Sequence, residues 1–316
     1  MTSTLINKFN ISIVAPCYNE EKNIDEFYER MLRSIKKIKN LRYEIIFIDD
    51  GSFDYTWDKI KEITKKNKFI KGIKLSKNFG HQNAIISSFE IISGNYILFI
   101  DTDLEHPPEL LQDMIKTMLK NSANVVYALK NKRRDNLLKK YSAKFFYFLF
   151  NKLSNTKIPV NSNEFRLMDK KVFNYLKKFK EQDPFLRGLI TWSGFKQIPI
   201  YYDTDTRRKR KSGWTLSKMF NFSASAFFGF SVYPMRISFM ISIMLTLVFL
   251  AFGFHAIYTY VQGNNIPGWT SIFLLIILFN IFQFFILGLI SEYTGRVYME
   301  VKNRPRYIID EIIKKD

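Results

Sequence analysis

The stretch 94–110, GNYILFIDTDLEHPPEL, contains the feature on which the prediction of the fold depends. Its apolar run from Tyr96 to Ile100 is typical of a strand buried in a sheet. Acidic residues follow at alternate positions, Asp101, Asp103 and Glu105, and two prolines then break the pattern. Like charges this close repel each other unless a cation lies among them. The stretch therefore predicts a core strand that delivers acidic side chains to a binding site.

Further apolar runs lie on both sides of this stretch, between residues 11 and 130. ISIVAP, YEIIFIDDGS, IKGIKLS and NVVYAL each have the composition of a strand. Segments with apolar residues at helical spacing separate them; the first places Ile24, Phe27, Met31, Ile35 and Ile38 on one face. Strands that alternate with helices predict an α/β fold with a mostly parallel sheet and right-handed crossovers.

Polar clusters follow these strands at their predicted carboxyl ends, where ligands bind in open α/β sheets. The clusters are Tyr18 to Glu20, Asp49 and Asp50, Lys77 and Asn78, and the acidic group after the strand at 96–100. Together they predict a site for a nucleoside diphosphate. The sequence has no Gly-x-Gly-x-x-Gly after the first strand and no Gly-Lys-Ser/Thr loop, which disfavours a dinucleotide oxidoreductase or a P-loop NTPase.

The acidic residues themselves allow two interpretations. Asp101 and Asp103 share a face if the strand stays extended, and carboxylate oxygens suit Mg²⁺ or Mn²⁺, which often keep substrate phosphates as further ligands. The alternative is a solvated acidic loop that caps the next helix. Asp49 and Asp50 could likewise bind a base edge or ribose hydroxyls, or simply form a turn, because Asp-Gly is a strong turn signal.

The overall charge indicates anionic partners. The 316-residue chain has a formal net charge of +19, which fits nucleic acid, an anionic membrane surface or phosphorylated substrates. A basic module that binds nucleic acid or anionic lipid without chemistry would explain this charge. It would not explain the acidic clusters at the strand ends, so we expect no nucleic-acid partner. The single cysteine, Cys17, excludes an internal disulfide and a cysteine-based zinc site.

The last third of the chain differs in kind. The stretches 237–260 and 269–291 contain no Asp, Glu, Lys or Arg, and each is long enough to cross a bilayer as a helix. Basic residues lie outside both stretches and the link between them is uncharged, which predicts a transmembrane hairpin with both flanks in the cytoplasm. Two buried core helices of a soluble protein are the alternative.

Two basic, aromatic segments, 131–154 and 216–235, have the composition of amphipathic helices at a membrane interface. Packing on their own domain is the alternative for both. The predicted organisation is a cytoplasmic catalytic domain at 1–215, a juxtamembrane helix at 216–235, two transmembrane helices at 236–291 and a cytoplasmic tail at 292–316.

Several motifs, taken in order, resemble those of the family 2 glycosyltransferases that use polyprenyl phosphate. They are SIVAPCYNEEKNI, IIFIDDGS, LSKNFGHQNAI, YILFIDTDLEHPPEL, NEFRLMDKKV, FLRGLITWSGF and KRKSGWTLSKM. The chain looks like a bactoprenol glucosyltransferase, related to dolichyl-phosphate mannose synthase. The resemblance covers nearly the whole chain and implies a GT-A fold, a nucleotide-sugar donor, a polyprenyl-phosphate acceptor and a place in the cytoplasmic membrane, and it allows a homotetramer.

The resemblance also implies roles for individual residues. Donor-binding roles fall on Pro16, Tyr18, Glu20, Asp49, Asp50, Lys77, Asp101, Thr102, Lys211 and Ser212. Metal-binding roles fall on Asp101, Asp103 and Glu105, with Mg²⁺ or Mn²⁺ as the ion, and catalytic roles on Asp103, Glu164, Arg166 and Arg210. The chain departs from the family at two positions, having Glu105 in place of the usual Gln and Glu164 in place of the usual Asp.

A lipid phosphate is already an anion, so its oxygen needs little deprotonation, and the harder tasks are to hold two anions together and to stabilise the leaving diphosphate. Arg166 and the basic run at 207–212 are candidates for the acceptor phosphate. That run could instead attract anionic headgroups. The resemblance implies inverting transfer of a hexose, with UDP-glucose the expected donor and undecaprenyl phosphate the expected acceptor. Mannose, galactose, N-acetylhexosamine or aminoarabinose donors, or a processive polysaccharide synthase, are the alternatives. His81 fits a structural or hydrogen-bonding role better than a catalytic one.

Overall fold

The computed structural model describes residues 10–130, 162–202 and 268–315, together with single residues between 240 and 262. The chain divides into two compact units. The first comprises Met1–Asn151, Thr156–Lys218 and Arg304–Asp316, and the second comprises Lys152–Asn155 and Met219–Asn303. The two predicted amphipathic segments lie outside the described residues, and the predicted domain boundaries stay predictions.

The first unit is built on one eight-stranded sheet. In chain order its strands are β1 (Asn10–Cys17), β2 (Arg42–Asp49), β3 (Ile70–Leu75), β4 (Tyr96–Phe99), β5 (Val125–Lys130), β6 (Ser162–Asp169), β7 (Gln197–Tyr202) and β8 (Ile309–Lys314). Across the sheet they lie in the order β7-β5-β6-β4-β1-β2-β3-β8. β6 is antiparallel to β4 and β5, β8 is antiparallel to β3, and the other pairs are parallel. The predicted mixed, mostly parallel sheet is confirmed.

The helices of this unit cover both faces of the sheet. They are α1 (Ile24–Lys36), α2 (Thr56–Lys66), α3 (His81–Ser87), α4 (Leu111–Asn121), α5 (Lys170–Leu176) and α6 (Leu186–Trp192). α1, α2 and α4 share one hydrophobic cluster with Phe47 of β2 and Leu98 of β4. On the opposite face, Phe99 of β4 stacks on Phe89, which also contacts Phe173 of α5. Because both faces are covered, the central strands are mostly apolar, as their sequences predicted. The buried Glu44 of β2 is an exception and pairs with Ser12 of β1 and Lys71 of β3.

The predicted apolar face of the first helix is confirmed. Ile24, Phe27, Met31 and Ile35 of α1 are buried, and Ile38 just beyond its end is buried as well. The three acidic residues of the opening stretch follow β4, which ends at Phe99, two residues before Asp101. The buried strand therefore delivers them to the carboxyl edge of the sheet, next to the ends of β1 and β2.

The carboxyl-terminal segment adds a strand that the sequence did not predict. β8 pairs with the edge of β3, from Lys71 opposite Lys314 to Leu75 opposite Ile309. Trp57 Nε1 donates to Glu311 Oε2 at 3.1 Å, and Ile313 packs on the hydrophobic cluster. The segment predicted as a tail thus closes one edge of the sheet.

One long helix of the second unit is apolar. α7 (Trp269–Lys302) contains the stretch Leu278–Lys302, with a mean hydropathy of 1.2, and within the described residues it is the one helix long and apolar enough to cross a membrane. It runs past the predicted end of the second span at Ser291. The first predicted span lies mostly outside the described residues, and those described between Met240 and Tyr258 are helical. A two-helix hairpin is not shown and stays a prediction.

We expect a chain that ends at Asn303 to be less stable, because it exposes the edge of β3 and removes the half-buried Ile309 and Ile313. The loss of the apolar area that these two half-buried isoleucines cover lowers the free energy of unfolding by about 2 kcal/mol. This corresponds to a fall in melting temperature of roughly 4–8 °C, measurable by circular dichroism. A chain that lacks only the last two residues should melt like the full chain. Equal melting temperatures for all three chains would show that β8 does not stabilise the sheet.

Candidate active site

A cavity of about 280 Å³ lies where β1, β2 and β4 end. Its walls comprise Pro16, Cys17, Tyr18, Glu20, Asp50, Asn78, Gly80, His81, Ala84, Asp101, Thr102 and Asp103. Seven of the residues predicted to bind donor or metal are therefore brought together. They are Pro16, Tyr18, Glu20, Asp50, Asp101, Thr102 and Asp103.

The loop after β1 is held by the loop after β2. Asn19 adopts a left-handed conformation (φ 55°), its backbone N–H donates to Ser52 Oγ, and its side-chain oxygen accepts from the N–H of Phe53. The Glu20 N–H donates to Thr56 Oγ1 at 2.8 Å. These bonds fix Tyr18 and Glu20 at the mouth of the cavity.

The two acids at the end of β2 have different surroundings. Asp50 lines the cavity, and its carboxylate accepts the N–H groups of Phe79 at 2.8 Å and Gly80 at 3.1 Å. Asp49 is fully buried and does not line the cavity; its Oδ1 accepts the Ser52 N–H. Burial raises the pKa of both carboxyl groups. Through its two hydrogen bonds, Asp50 holds the loop between β3 and α3 in place.

Lys77 lies in that loop but does not line the cavity. Its side chain is exposed and its ammonium lies 5.2 Å from the centre of the Phe79 ring. The neighbouring Asn78 lines the cavity instead. A donor-binding role for Lys77 stays a prediction.

Asp101 lies between two histidines. His81 Nε2 is 3.4 Å from its Oδ1 and His106 Nε2 is 3.6 Å from its Oδ2. Burial alone would raise the pKa of Asp101, but the charge of His81, the hydrogen bonding and charge of His106, and the charge of Arg187 outweigh it and lower the pKa to about 2. Asp103 behaves in the opposite way, because burial and the charge of Asp101 raise its pKa to about 6. The pKa values of these two aspartates therefore differ widely.

His106 was missed by the sequence analysis. It is 4% exposed, and its Nδ1 forms a 2.6 Å hydrogen bond with the hydroxyl of Tyr202 at the end of β7. The ring therefore reaches Asp101 with its other nitrogen while Tyr202 fixes its orientation. A histidine before two prolines carries no local signal of such a contact.

Glu105 does not line the cavity. Its carboxylate pairs with Lys130 at 2.7 Å, and although burial opposes it, this pair lowers the pKa of Glu105. Leu104 has a left-handed backbone (φ 62°), so the alternation of an extended strand does not continue to position 105. In the described residues no group of three or more His, Cys, Asp or Glu side chains is arranged to hold a metal ion. A metal role for Glu105 stays a prediction.

A second set of charges surrounds Glu164 in the first half of β6. Glu164 is 6% exposed, with Arg187 Nε 2.8 Å from its Oε1 and Arg166 Nε 3.9 Å from its Oε2. Burial would raise the pKa of Glu164, but the two arginines lower it. Burial lowers the pKa of Arg166 to about 10. Glu164 and Arg166, each predicted as catalytic, therefore lie close together, and their catalytic roles stay predictions. Arg210, Lys211 and Ser212 lie outside the described residues.

Residues 12–176 match the family model described as glycosyl transferase family 2. An uncharacterized glycosyltransferase of Bacillus subtilis is 37% identical over 302 residues, which cover 95% of this chain and 93% of the relative. An uncharacterized glycosyltransferase of Synechocystis is 34% identical over 304 residues, 96% of this chain and 95% of the relative. The SfII prophage-derived bactoprenol glucosyl transferase of Shigella flexneri is 32% identical over 300 residues, 95% of this chain and 97% of the relative.

This chain belongs to glycosyl transferase family 2. The mixed, mostly parallel sheet of this family 2 glycosyltransferase is GT-A-like, as the resemblance implied. The family match ends at residue 176, so it includes the cavity, Glu164 and Arg166, whereas Arg187 and Tyr202 lie beyond it. The longer matches to the three relatives extend over nearly the entire chain.

The family 2 glycosyltransferase needs a glycine at position 51. Gly51 has φ +68°, and a Cβ atom there would lie 2.4 Å from the backbone carbon of Lys77. We expect Gly51→Ala to lower the free energy of unfolding by roughly 2–5 kcal/mol, from backbone strain and from the displaced loop. Gly194→Ala is the matched control, since Gly194 has φ +72° and open space around it. It should lose about 1 kcal/mol. Equal losses in urea unfolding would contradict the close approach.

If Asp103 binds a metal ion, as the sequence analysis predicts, its raised pKa makes that binding depend on pH. With a pKa of about 6, most of Asp103 is protonated at pH 5 and ionised at pH 7, whereas Asp101 is ionised at both. Because a proton and a cation compete for the carboxylate, we expect Mn²⁺ to bind about tenfold more tightly at pH 7 than at pH 5. Without metal the sign reverses: the stability that Asp103 contributes is present below its unfolded pKa and is lost as the pH rises through about 6.

Calorimetric titration of Mn²⁺ at both pH values tests this prediction. Asp103→Asn should weaken binding and flatten its pH dependence. Asp113→Asn, on the exposed surface of α4, should leave both unchanged. An affinity of the wild-type protein that does not change with pH would contradict the prediction.

Proposed function

We propose that this glycosyltransferase transfers glucose from UDP-glucose to undecaprenyl phosphate at the cytoplasmic face of the membrane, with inversion at the anomeric carbon. The observation that carries the proposal is the cavity at the strand ends, where the acids at 101 and 103 lie beside Tyr18, Glu20 and Asp50. Relatives that match nearly the whole chain are named bactoprenol glucosyl transferases, which supports the lipid acceptor and the sugar.

The nucleoside end of the donor fits the part of the cavity formed by β1 and β2. Tyr18 is 40% exposed, so its ring is available to contact the base. The Phe53 ring packs edge-on against the Tyr18 ring, with 6.4 Å between the ring centres, and supports its orientation. Glu20 offers a carboxylate at the same mouth. Asp49 and Asp50 act by shaping the loops, and Thr102, whose hydroxyl donates to the Pro16 carbonyl, joins the ends of β4 and β1.

The diphosphate end fits the acids at 101 and 103. Asp101 Oδ1 is buried and accepts no hydrogen bond within the described residues, and the pKa of Asp103 is raised beside it. Both features fit a divalent cation, so Asp101 and Asp103 would hold Mg²⁺ or Mn²⁺ together with phosphate oxygens of the donor. A bound cation would supply charge to the departing diphosphate.

The acceptor needs positive charge and no strong base. An oxygen of the lipid phosphate, already anionic, forms the new bond to the anomeric carbon, and the bond to the donor diphosphate breaks with its electron pair on the nucleotide. Arg210, Lys211 and Ser212 are the candidates that bind the acceptor phosphate directly. Arg166 is 2% exposed and close to Glu164, so we assign it a supporting charge inside the sheet.

The membrane location follows from the acceptor and from the apolar helix. α7 carries exposed apolar side chains along its described length, among them Ile281, Phe284 and Leu287. We propose that it spans the bilayer as the second helix of the predicted hairpin, with the first at 237–260. A homotetramer in the bilayer stays a prediction.

A donor panel tests the proposed activity. Full-length protein in detergent with Mg²⁺ or Mn²⁺ and undecaprenyl phosphate is given UDP-glucose, UDP-galactose, UDP-N-acetylglucosamine or GDP-mannose. We expect mass spectrometry to find a hexose on the lipid phosphate with UDP-glucose as the best donor, and no product after the metal is chelated. A product with GDP-mannose alone would overturn the assignment of glucose as the sugar. Release of free sugar without a lipid product would overturn the assignment of undecaprenyl phosphate as the acceptor.

Substitution of an acid in the cavity tests the site. Asp103→Asn should lower turnover at least about a hundredfold, because the departing diphosphate loses its stabilising charge. Asp113→Asn has the same chemical change at an exposed position and should retain full turnover. Full activity of the Asp103→Asn protein would refute the metal assignment.

A further inference from the structure

Arg187 is a side chain at the edge of the site to which neither the family match nor the proposed reaction assigns a role. It is the second residue of α6, and its side chain is 15% exposed. The guanidinium lies over the ring of Phe185 at 5.3 Å and pairs with Glu164 at 2.8 Å. In a surface ion pair both side chains are largely exposed to solvent, whereas here Arg187 and Glu164 are not. Arg187 is therefore positioned to interact with a group inside the protein.

Gln82 connects this pair to the helix that lines the cavity. Its side-chain nitrogen donates to Glu164 Oε1 at 3.2 Å, and its side-chain oxygen accepts the N–H of Leu186 at 3.2 Å. Gln82 is the second residue of α3, and the first is His81. The Glu164 carboxylate is therefore shared by α3 and α6.

The preceding residue of α3 touches the acidic end of β4. His81 lines the cavity and lies 3.4 Å from Asp101. In the sheet, β4 and β6 are antiparallel neighbours with Phe99 opposite Arg166, so Asp101 and Glu164 extend from the same end of this strand pair. A shift of Glu164 would move the start of α3 and with it the histidine beside Asp101.

We infer that Arg187 is a positioning residue for the proposed transfer: it holds the Glu164 carboxylate, and through Gln82 the start of α3, against the strand end that carries Asp101. This inference rests on the proposed function. Arginine suits the task because its planar guanidinium fixes the direction of a carboxylate, whereas a lysine ammonium provides only a point charge. Without Arg187, the buried carboxylate would keep the neutral Gln82 amide, and its nearest remaining positive charge would be Arg166, whose Nε is 3.9 Å away.

Substitutions of the two partners test the role. In full-length protein with Mg²⁺, nucleotide sugar and lipid phosphate, we expect Arg187→Gln to lower kcat at least about tenfold, with the KM for the nucleotide sugar within about threefold, since the nucleoside end of the cavity is formed by other strands. Arg187→Lys should fall between this variant and the wild type. Lys177→Gln, which removes the exposed pair with Glu90, is the matched control and should change neither constant.

A double-substitution cycle separates positioning from a general loss of structure. If Arg187 acts through Glu164, the protein with both Glu164→Gln and Arg187→Gln should lose little more kcat than Glu164→Gln alone. Losses that multiply, or an Arg187→Gln protein within twofold of wild-type kcat, would overturn the inference while leaving the proposed function intact. If Arg187→Gln does not fold, the kcat of Arg187→Lys is the test. A wild-type kcat in the Arg187→Lys protein would show that a point charge suffices and would overturn the inference.

The failure of the proposed function gives a different result. A wild-type protein that neither binds a nucleotide sugar in calorimetry nor forms lipid product with any donor of the panel would overturn the proposed function and this inference together. A wild-type protein that turns over while Arg187→Gln and Arg187→Lys do so equally well would overturn the inference alone.

Discussion

Acidic side chains at the ends of adjacent parallel strands have to be neutralised at close range, and the rest of the site depends on this constraint. The registers of β1 with β2 and of β1 with β4 bring their carboxyl ends to one edge of the sheet. There Asp101 gains two histidines, which together with the charge of Arg187 hold its pKa at about 2, while Asp103 lies next to that negative charge and its pKa rises to about 6. Different surroundings thus give two chemically identical carboxyl groups very different pKa values.

The sequence predicted the interior of the sheet well, because strands covered by helices on both faces are near-continuous apolar runs. It did not predict β8, because its sequence IDEIIK lacks the strict alternation of apolar and polar residues that marks a half-buried strand, and because it lies on an edge. Its partner β3 is more than two hundred residues earlier in the chain, and no local pattern connects the two. The close packing of Ile313 and Ile60 on Gly72 explains the glycine inside β3, since a Cβ atom there would lie under 3 Å from both side chains.

The residues of the site likewise divide into those whose positions the sequence predicted and those whose positions it did not. Pro16, Glu20, Asp50 and Asp101 were predicted to lie together because the topology forces the ends of parallel strands to one edge, and they line one cavity. Glu105 was predicted from the alternation of an extended strand, which Leu104 interrupts with its left-handed backbone. His106 and Arg187 act across elements whose relative positions depend on packing, so their spacing in the sequence carries no information about Asp101 or Glu164.

The start of α3 is the point at which three strands of the sheet meet through their acids. Asp50 of the β2 end accepts the N–H groups of Phe79 and Gly80, His81 lies beside Asp101 of the β4 end, and Gln82 donates to Glu164 of β6. Four consecutive residues thus contact carboxylates from three strand ends. Because all three acids contact this short segment, we expect a displacement of any one of them to shift the contacts of the others. The sequence FGHQ therefore does more than begin a helix, since it joins the cavity to the ion pair of Glu164 and Arg187.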